Sequence, residues 1–285
     1  MIKTYIILGG KNPPIHMTND KIFEINYLNR SDYVDILTDN YKLYQGDCLK
    51  IMKDIPDKSI DMILCDLPYG TTQNKWDSVI PFDQLWKQYN RIIKDNGAIV
   101  LFAQGMFTSD LMQSNRKYWR YNLIWEKDRP SGFLNAKRMP LRSHEDICIF
   151  YKKLPTYNPQ FWEGEPLHGM GNKFKEGNLG NNNYGKFPSH TNPSALRKGD
   201  TQKHPRSVLK FSRPHPPIHP TQKSVELCEW LIKTYTNEND VILDNCMGSG
   251  TTGIACINTN RKFIGIELEE NYFNISINRI FENYN

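Results

Sequence analysis

One stretch near the carboxyl end constrains the fold more than any other. Val241 to Leu243, followed by Asp244-Asn245-Cys246-Met247-Gly248-Ser249-Gly250-Thr251-Thr252-Gly253, reads as a strand, a glycine-rich turn and a helix start. Gly248 and Gly250 let backbone approach a ligand closely, and the helix N-terminus behind them favours an anionic group. With Gly253 they satisfy the spacing G-x-G-x-x-G, and Glu267 ends the next apolar run, where an acid can meet ribose hydroxyls. A sheet that binds a dinucleotide continues with a second mononucleotide-binding half, yet eighteen residues, 268–285, follow Glu267. The other strands therefore have to lie upstream, and the turn is expected to belong to a circularly permuted sheet.

Short β-rich runs supply those strands. They are Tyr41 to Gln45, Ile60 to Cys65, Ala98 to Phe102, Tyr121 to Trp125 and Asp146 to Tyr151, with Val241 to Leu243 and Lys262 to Ile266 late in the chain. Several are continuous apolar runs, as strands buried on both faces of a mainly parallel sheet require. Helical spacing of apolar residues marks Pro81 to Lys94, Gln104 to Asn115, Ser224 to Tyr235 and Glu270 to Phe281. The pattern predicts an α/β sheet of about seven strands. Residues 152–222 break the rhythm with clustered Gly, Asn, Pro, Lys and His, and read as a loop-rich insertion. The first 35 or so residues carry no legible pattern.

No apolar stretch is long enough to cross a bilayer, and the mean hydropathy of -0.62 agrees. Nor does the N-terminus show a long apolar segment with a cleavage site. The six cysteines, at 48, 65, 148, 228, 246 and 256, form no C-x-x-C pair and sit in or beside apolar runs, so they read as reduced core thiols of a cytoplasmic protein. His215 and His219 have half of a zinc-finger spacing without its cysteine half, which predicts a Pro-rich loop and no metal site. Residues 116–223 hold 20 Lys and Arg against 8 Asp and Glu, whereas 1–115 hold 12 against 14 and 224–285 hold 4 against 9. Such a basic block suits a polyanion partner, although a solvated Lys-rich loop shows the same counts.

Directly after Ile60 to Cys65 comes Asp66-Leu67-Pro68-Tyr69-Gly70. It sets a carboxylate, a carbonyl fixed by the following proline and an aromatic ring at the carboxyl end of a strand, the edge where open α/β sheets bind ligands. Alone it could be a proline turn with a capping aspartate. Paired with the glycine turn, it resembles the amino-methyltransferases of DNA, whose catalytic motif reads Asp/Asn/Ser-Pro-Pro-Tyr or Phe and whose S-adenosylmethionine turn is glycine-rich. Catalytic motif, variable recognition region, glycine turn is the order of that family's β group, and the likeness runs from about residue 41 to the end. Gln45-Gly46-Asp47-Cys48 is similar to the segment that approaches the cofactor adenine, and His219-Pro220-Thr221-Gln222-Lys223 to the one that meets the methionine moiety. Two departures stand out. Leu67 replaces the first proline, keeping the backbone carbonyl the family uses, and Asn245-Cys246 replace Pro-Phe in the apolar wall of the cofactor pocket.

The resemblance implies the circularly permuted, Rossmann-like sheet of S-adenosylmethionine-dependent methyltransferases. It divides the chain into an N-terminal extension (1–40), a catalytic part (41–151), a basic, loop-rich target-recognition insertion (152–218) and a cofactor-binding part (219–285). It implies S-adenosylmethionine as cofactor and double-stranded DNA as partner, and it allows a homodimer and a separate restriction endonuclease. Asp66 and the Leu67 carbonyl would each accept a proton of an exocyclic amine, with Pro68 fixing the carbonyl and Tyr69 stacking on a base flipped from the duplex. Gly248 and Gly250 fall to the methionine side of the cofactor, and Asp244 and Thr251 of the same turn count among the cofactor-binding residues. Glu267 falls to the ribose, Asp47 with Cys48 to the adenine, and Lys223 or Thr221 to the methionine carboxylate. Lys198, Lys203, His204, Arg206, Lys210 and Arg213 form the expected phosphate-binding stretch. An aspartate at position 66 tilts the reading to adenine N6, since the cytosine-N4 enzymes more often carry Ser there. Cytosine N4, and a non-catalytic nucleic-acid-binding module of the same fold, stand as alternatives.

Overall fold

The computed structural model describes residues 34–38, 40–72, 74, 77–166, 201–216 and 222–283. Among these, nine strands form one sheet: β1 (Val34–Leu37), β2 (Tyr41–Gln45), β3 (Ile60–Asp66), β4 (Ile93–Ala103), β5 (Trp119–Ser131), β6 (Arg142–Phe150), β9 (Val208–Phe211), β10 (Val241–Asp244) and β11 (Lys262–Glu267). Their spatial order is β1-β2-β11-β10-β3-β4-β6-β5-β9, and the run from β2 to β4 is parallel throughout. The seven expected strands are all present, and the two additional ones, β1 and β9, lie at the edges. The helices are α1 (Cys48–Ile51), α2 (Phe82–Ile92), α3 (Met106–Ser114), α4 (Val225–Tyr235), α5 (Thr251–Asn258) and α6 (Glu270–Glu282). None is long and apolar enough to cross a membrane among the described residues.

Alternation along the central strands sends neighbouring side chains to opposite faces. Met62, Leu64, Val100, Phe102, Trp125 and Ile147 face one core, shared with Leu227 and Leu231 of α4, Ile254 of α5 and Ile277 of α6. Ile63, Cys65, Ile99, Leu101, Cys148 and Phe150 face the other, against Leu85, Trp86 and Tyr89 of α2 and Leu111 of α3. Each fully buried aliphatic side chain contributes about 1.5–3 kcal/mol by leaving water. The polar capping agrees with the apolar pattern, for Ser224 accepts the Leu227 N–H at the start of α4. All six cysteines are free thiols, five of them buried.

Chain direction places the crevice. From β3 the chain passes through α2 to β4 on one side, and from β10 through α5 to β11 on the other. The adjoining strands β10 and β3 thus flank the point where the sheet order reverses, and ligands bind outside the carboxyl ends at such a point.

Residues Pro159–Arg206 form a second compact unit, described over 159–166 and 201–206. In it β7 (Trp162–Glu163) pairs antiparallel with β8 (Gln202–Lys203). The Trp162 indole N–H donates to the His204 carbonyl at 3.1 Å, and the Arg206 guanidinium lies 5.1 Å from the Trp162 ring centre. Ser207 onward belongs to the main unit, where β9 pairs in parallel with β5 from Ile124 to Lys127. This stretch, which the pattern assigns to the insertion, therefore extends the sheet.

Candidate active site

Three carboxylates end three adjoining parallel strands: Asp66 on β3, Asp244 on β10 and Glu267 on β11. A cavity of about 650 Å³ opens along this edge and is lined by all three. Asp47, Cys48, Leu67, Pro68, Tyr69, Gly248 and Thr251 line it too, so the Asp66–Tyr69 segment and the glycine turn, far apart in sequence, share one space.

The Asp66 carboxylate is held at both oxygens. Tyr69 Oη donates to Oδ1 at 2.7 Å, and the Lys223 ammonium donates to Oδ2 at 2.5 Å. Lys223 also lies 3.3 Å from Glu145 Oε2, while the Lys127 ammonium donates to Glu145 Oε1. A buried chain of alternating charge results, Asp66–Lys223–Glu145–Lys127, and all four residues line the cavity. Burial raises the Asp66 pKa more than Lys223 lowers it, and the charge of Glu145 adds to the rise. Burial also opposes the charge on Lys223, but Asp66 and Glu145 outweigh it and hold the ammonium protonated. Burial likewise works against Glu145, and the two lysines offset it to leave that carboxyl below its ordinary value.

The loop after the motif is closed by Asp77, whose carboxylate accepts the backbone N–H groups of Gly70, Thr71 and Thr72 at 2.9, 2.9 and 2.6 Å. The Tyr69 ring stacks on Phe107 with centres 4.8 Å apart, which fixes its plane at the cavity wall.

Across the cavity, Gly248 (φ +52°) and Gly250 (φ +79°) take left-handed conformations that other residues adopt at a cost. The Gly248 N–H donates to Glu267 Oε2 at 2.8 Å, and the Glu269 N–H to Oε1 at 2.9 Å, so Glu267 fastens the turn to the end of β11. Asp244 accepts the Thr252 hydroxyl at 2.7 Å and the Cys246 N–H at 3.1 Å, and burial pushes its pKa up to about 7. Asn245, standing where the resembled family has Pro, is buried and fully engaged. Its Oδ1 accepts the Tyr89 hydroxyl at 2.5 Å, and its amide donates to the thiols of Cys48 and Cys246 at 3.6 and 3.5 Å. A polar bridge from α2 thus replaces part of the expected apolar wall.

Several expected residues have other partners than the sequence suggests. Lys223, assigned to a methionine carboxylate, is bound by Asp66 and Glu145. Gly250 is absent from the cavity lining, and a Cβ there would lie 3.0 Å from Ser276 Cβ and 3.1 Å from Ile280 Cδ1, so it is the approach of α6 that it admits. Asp47 caps α1 by accepting the Leu49 N–H at 2.8 Å while it remains at the cavity rim. Of the basic stretch, Arg213 lines the cavity, and Lys210 on β9 pairs with Glu126 at 3.4 Å. Lys203, His204 and Arg206 lie in the second unit, where the His204 ring meets Phe161 with centres 5.0 Å apart. Lys198 and Thr221 lie outside the described residues, as does most of the N-terminal extension. The sequence reading missed Glu145, Lys127 and Asp77, and it placed Asn245 in the pocket wall without its bond to Tyr89.

A permuted α/β sheet with a strand-end carboxylate facing a glycine turn across one cavity defines a Rossmann-like ligand-binding protein. The family model for DNA methylases matches residues 60–278, and the chain belongs to that family. It is 26% identical over 253 residues to the DNA adenine methyltransferase YhdJ of Escherichia coli (strain K12), covering 84% of this chain and 82% of that one. The crystal structure of an M1.HpyAVI–SAM complex aligns with a TM-score of 0.56 at 26% identity, covering 84% of this chain and 99% of that one. The PvuII DNA methyltransferase, described as cytosine-N4-specific, shares the fold with a TM-score of 0.59 at 16% identity over 87% of this chain and 92% of that one.

Proposed function

We propose that the protein transfers the methyl group of S-adenosylmethionine to N6 of an adenine flipped out of duplex DNA. The observation that carries the reading is the Asp66 carboxylate, aimed into the shared cavity by Tyr69 and Lys223 opposite the glycine turn. The cavity's volume falls within the range of small-molecule sites. The helix N-terminus at Thr251 suits the methionine carboxylate, because Lys223 is already engaged. Glu267, with each oxygen holding one backbone N–H, keeps a lone pair on each for ribose hydroxyls. S-adenosylmethionine supplies an electrophilic sulfonium methyl.

An exocyclic amine is a poor nucleophile because its lone pair is delocalised into the ring. Asp66 and the Leu67 carbonyl each accept one N–H, which draws the nitrogen toward a tetrahedral shape with its lone pair facing the methyl. As the N–C bond forms, the methyl leaves sulfur with the bonding pair remaining there, and the surplus proton passes from nitrogen to Asp66. Burial raises its pKa, which favours taking that proton, and the adjacent Lys223 ammonium favours the ionised form beforehand. Tyr69 stacks on the flipped base. Aspartate at position 66 and the likeness to an adenine methyltransferase support adenine.

Nucleoside mass spectrometry of duplex DNA incubated with protein and cofactor tests the reading. N6-methyladenine is the expected main product. N4-methylcytosine alone overturns the base assignment, and no methylated nucleoside on sequence-diverse DNA overturns the activity.

A further inference from the structure

β5 and β6 do not stop at the carboxyl edge. β6 leaves β4 at Asp146, opposite Ala103, yet continues to pair with β5 through Glu145, His144 and Arg142. At about 3.3 Å per residue, the four steps from Asp146 to Arg142 carry the hairpin about 13 Å beyond the end of β4. Its base is tied to the cavity rim, for Ser131 and Gln104 line the cavity, and Gln104 binds both the Arg142 guanidinium and the His144 carbonyl. Its tip is ordered by a left-handed Gly132 (φ +92°) and a short 3-10 turn, Phe133–Asn135.

The tip exposes what a folded protein ordinarily covers. Leu134 is 102% exposed, Phe133 68% and Met139 55%. The same segment carries Arg129, Lys137, Arg138 and Arg142 and no acid from 129 to 142, the nearest being Asp128, which pairs with Arg129 at 3.7 Å. Apolar side chains among an excess of cations do not suit a basic or purely apolar partner surface. They suit a stack of bases flanked by phosphates.

We infer that this hairpin is a wedge for the DNA duplex: Phe133 and Leu134 enter the space that the target base leaves, and Lys137 and Arg138 hold the adjoining phosphates. The inference rests on the DNA-methyltransferase reading and adds to it the element that opens the duplex. Unstacking a base costs a few kcal/mol, and apolar side chains that fill the gap return part of it. The wedge acts on the opening of the duplex and not on the cofactor, since neither apolar residue lines the cavity.

The test compares wild type with Phe133→Ala/Leu134→Ala on two duplexes that share a site the wild type methylates, found by modified-base mapping. One is fully paired and the other carries an abasic position opposite the target base, where opening is already cheap. The expected result is a fall in kcat/KM of about ten-fold or more on the paired duplex and about two-fold or less on the abasic one, with calorimetric affinity for S-adenosylmethionine unchanged. Lys137→Ala/Arg138→Ala is expected to flatten the salt dependence of DNA binding by about 0.9 of a slope unit per lost contact. Equal loss on both duplexes, or none on either, overturns the wedge while leaving the methyltransferase reading intact. So does a tip variant that only dissociates a dimer, which would make the tip an interface between copies. A wild type that methylates no DNA overturns both readings.

Discussion

Asp66 sits between two influences of opposite sign, which makes its chemistry testable one residue at a time. The Lys223 ammonium lowers its pKa and the Glu145 carboxylate raises it, on top of the larger effect of burial. Methyl transfer needs the ionised form, so the rate falls as pH drops through that pKa. Lys223→Gln removes the lowering charge and should move the acid limb of the single-turnover pH profile upward, by about one unit or more given the close contact. Glu145→Gln should move it downward. Two shifts in the same direction, or none, would remove Asp66 from the role of acceptor. Asp66→Ala should cost orders of magnitude in kcat while cofactor affinity is retained, because the carboxylate acts on the geometry of the amine in the transition state. A variant turning over near the wild-type rate would sink the mechanism. Asp66 was legible because it belongs to a local motif, whereas Glu145 and Lys127 are tied to it only through the fold. A signal for them existed, in that Glu145 shares its strand face with the buried Ile147 and Ile149, and Lys127 with Leu123 and Trp125. A charge in register with core residues has to find a partner.

The glycine turn shows how one element divides its labour. Gly248 serves the cavity side, while Gly250 and Gly253 let α5 approach α6 and β11, although all three belong to one sequence pattern. A Cβ at Gly253 would stand 2.6 Å from Ile280 Cδ1 and 2.9 Å from Phe263 Cε1, both on buried side chains. Gly253→Ala should therefore lower the unfolding free energy in urea by about 1–3 kcal/mol, the usual cost of overpacking, and adding Ile280→Val should recover part of it. Cofactor affinity should hold, since Gly253 does not line the cavity. A double-mutant cycle with no coupling would show that the contact is not what the glycine relieves. By contrast, Gly248→Val should abolish S-adenosylmethionine binding with the circular dichroism unchanged. Elements with continuous apolar runs were readable from sequence, but β1, β9 and α1 were not. Each has four residues, too few for periodicity to show, and β9 (Val208–Phe211) is strand-forming only beside β5.

At the scale of the whole chain, order and charge were more legible than the boundary of the insertion. That the strand of Asp66 precedes the glycine turn is written in the sequence, and the sheet that results joins β3 to β10 although some 180 residues separate their paired positions, as the Asp61–Val241 hydrogen bond records. The basic excess of residues 116–223 is equally plain, yet composition could not show that its cations divide among a second unit, an edge strand and the cavity rim. That division sets the expected salt dependence of DNA binding. Arg206 is stacked on Trp162, which leaves its charge and outer N–H groups able to meet a phosphate, whereas Lys210 is partly matched by Glu126 at 3.4 Å. Each phosphate contact contributes about 0.9 to the slope of log affinity against log salt. Neutralising Lys203, Arg206 and Lys210 together should flatten that slope by about two units or more, with Lys210→Ala giving a smaller change than Arg206→Ala because Glu126 already offsets its charge. Fluorescence anisotropy of a labelled duplex between about 50 and 200 mM salt measures the difference where counterion release dominates. Equal slopes for the triple variant and wild type would assign this stretch to a solvated surface and leave phosphate binding to the cations of the β5–β6 hairpin.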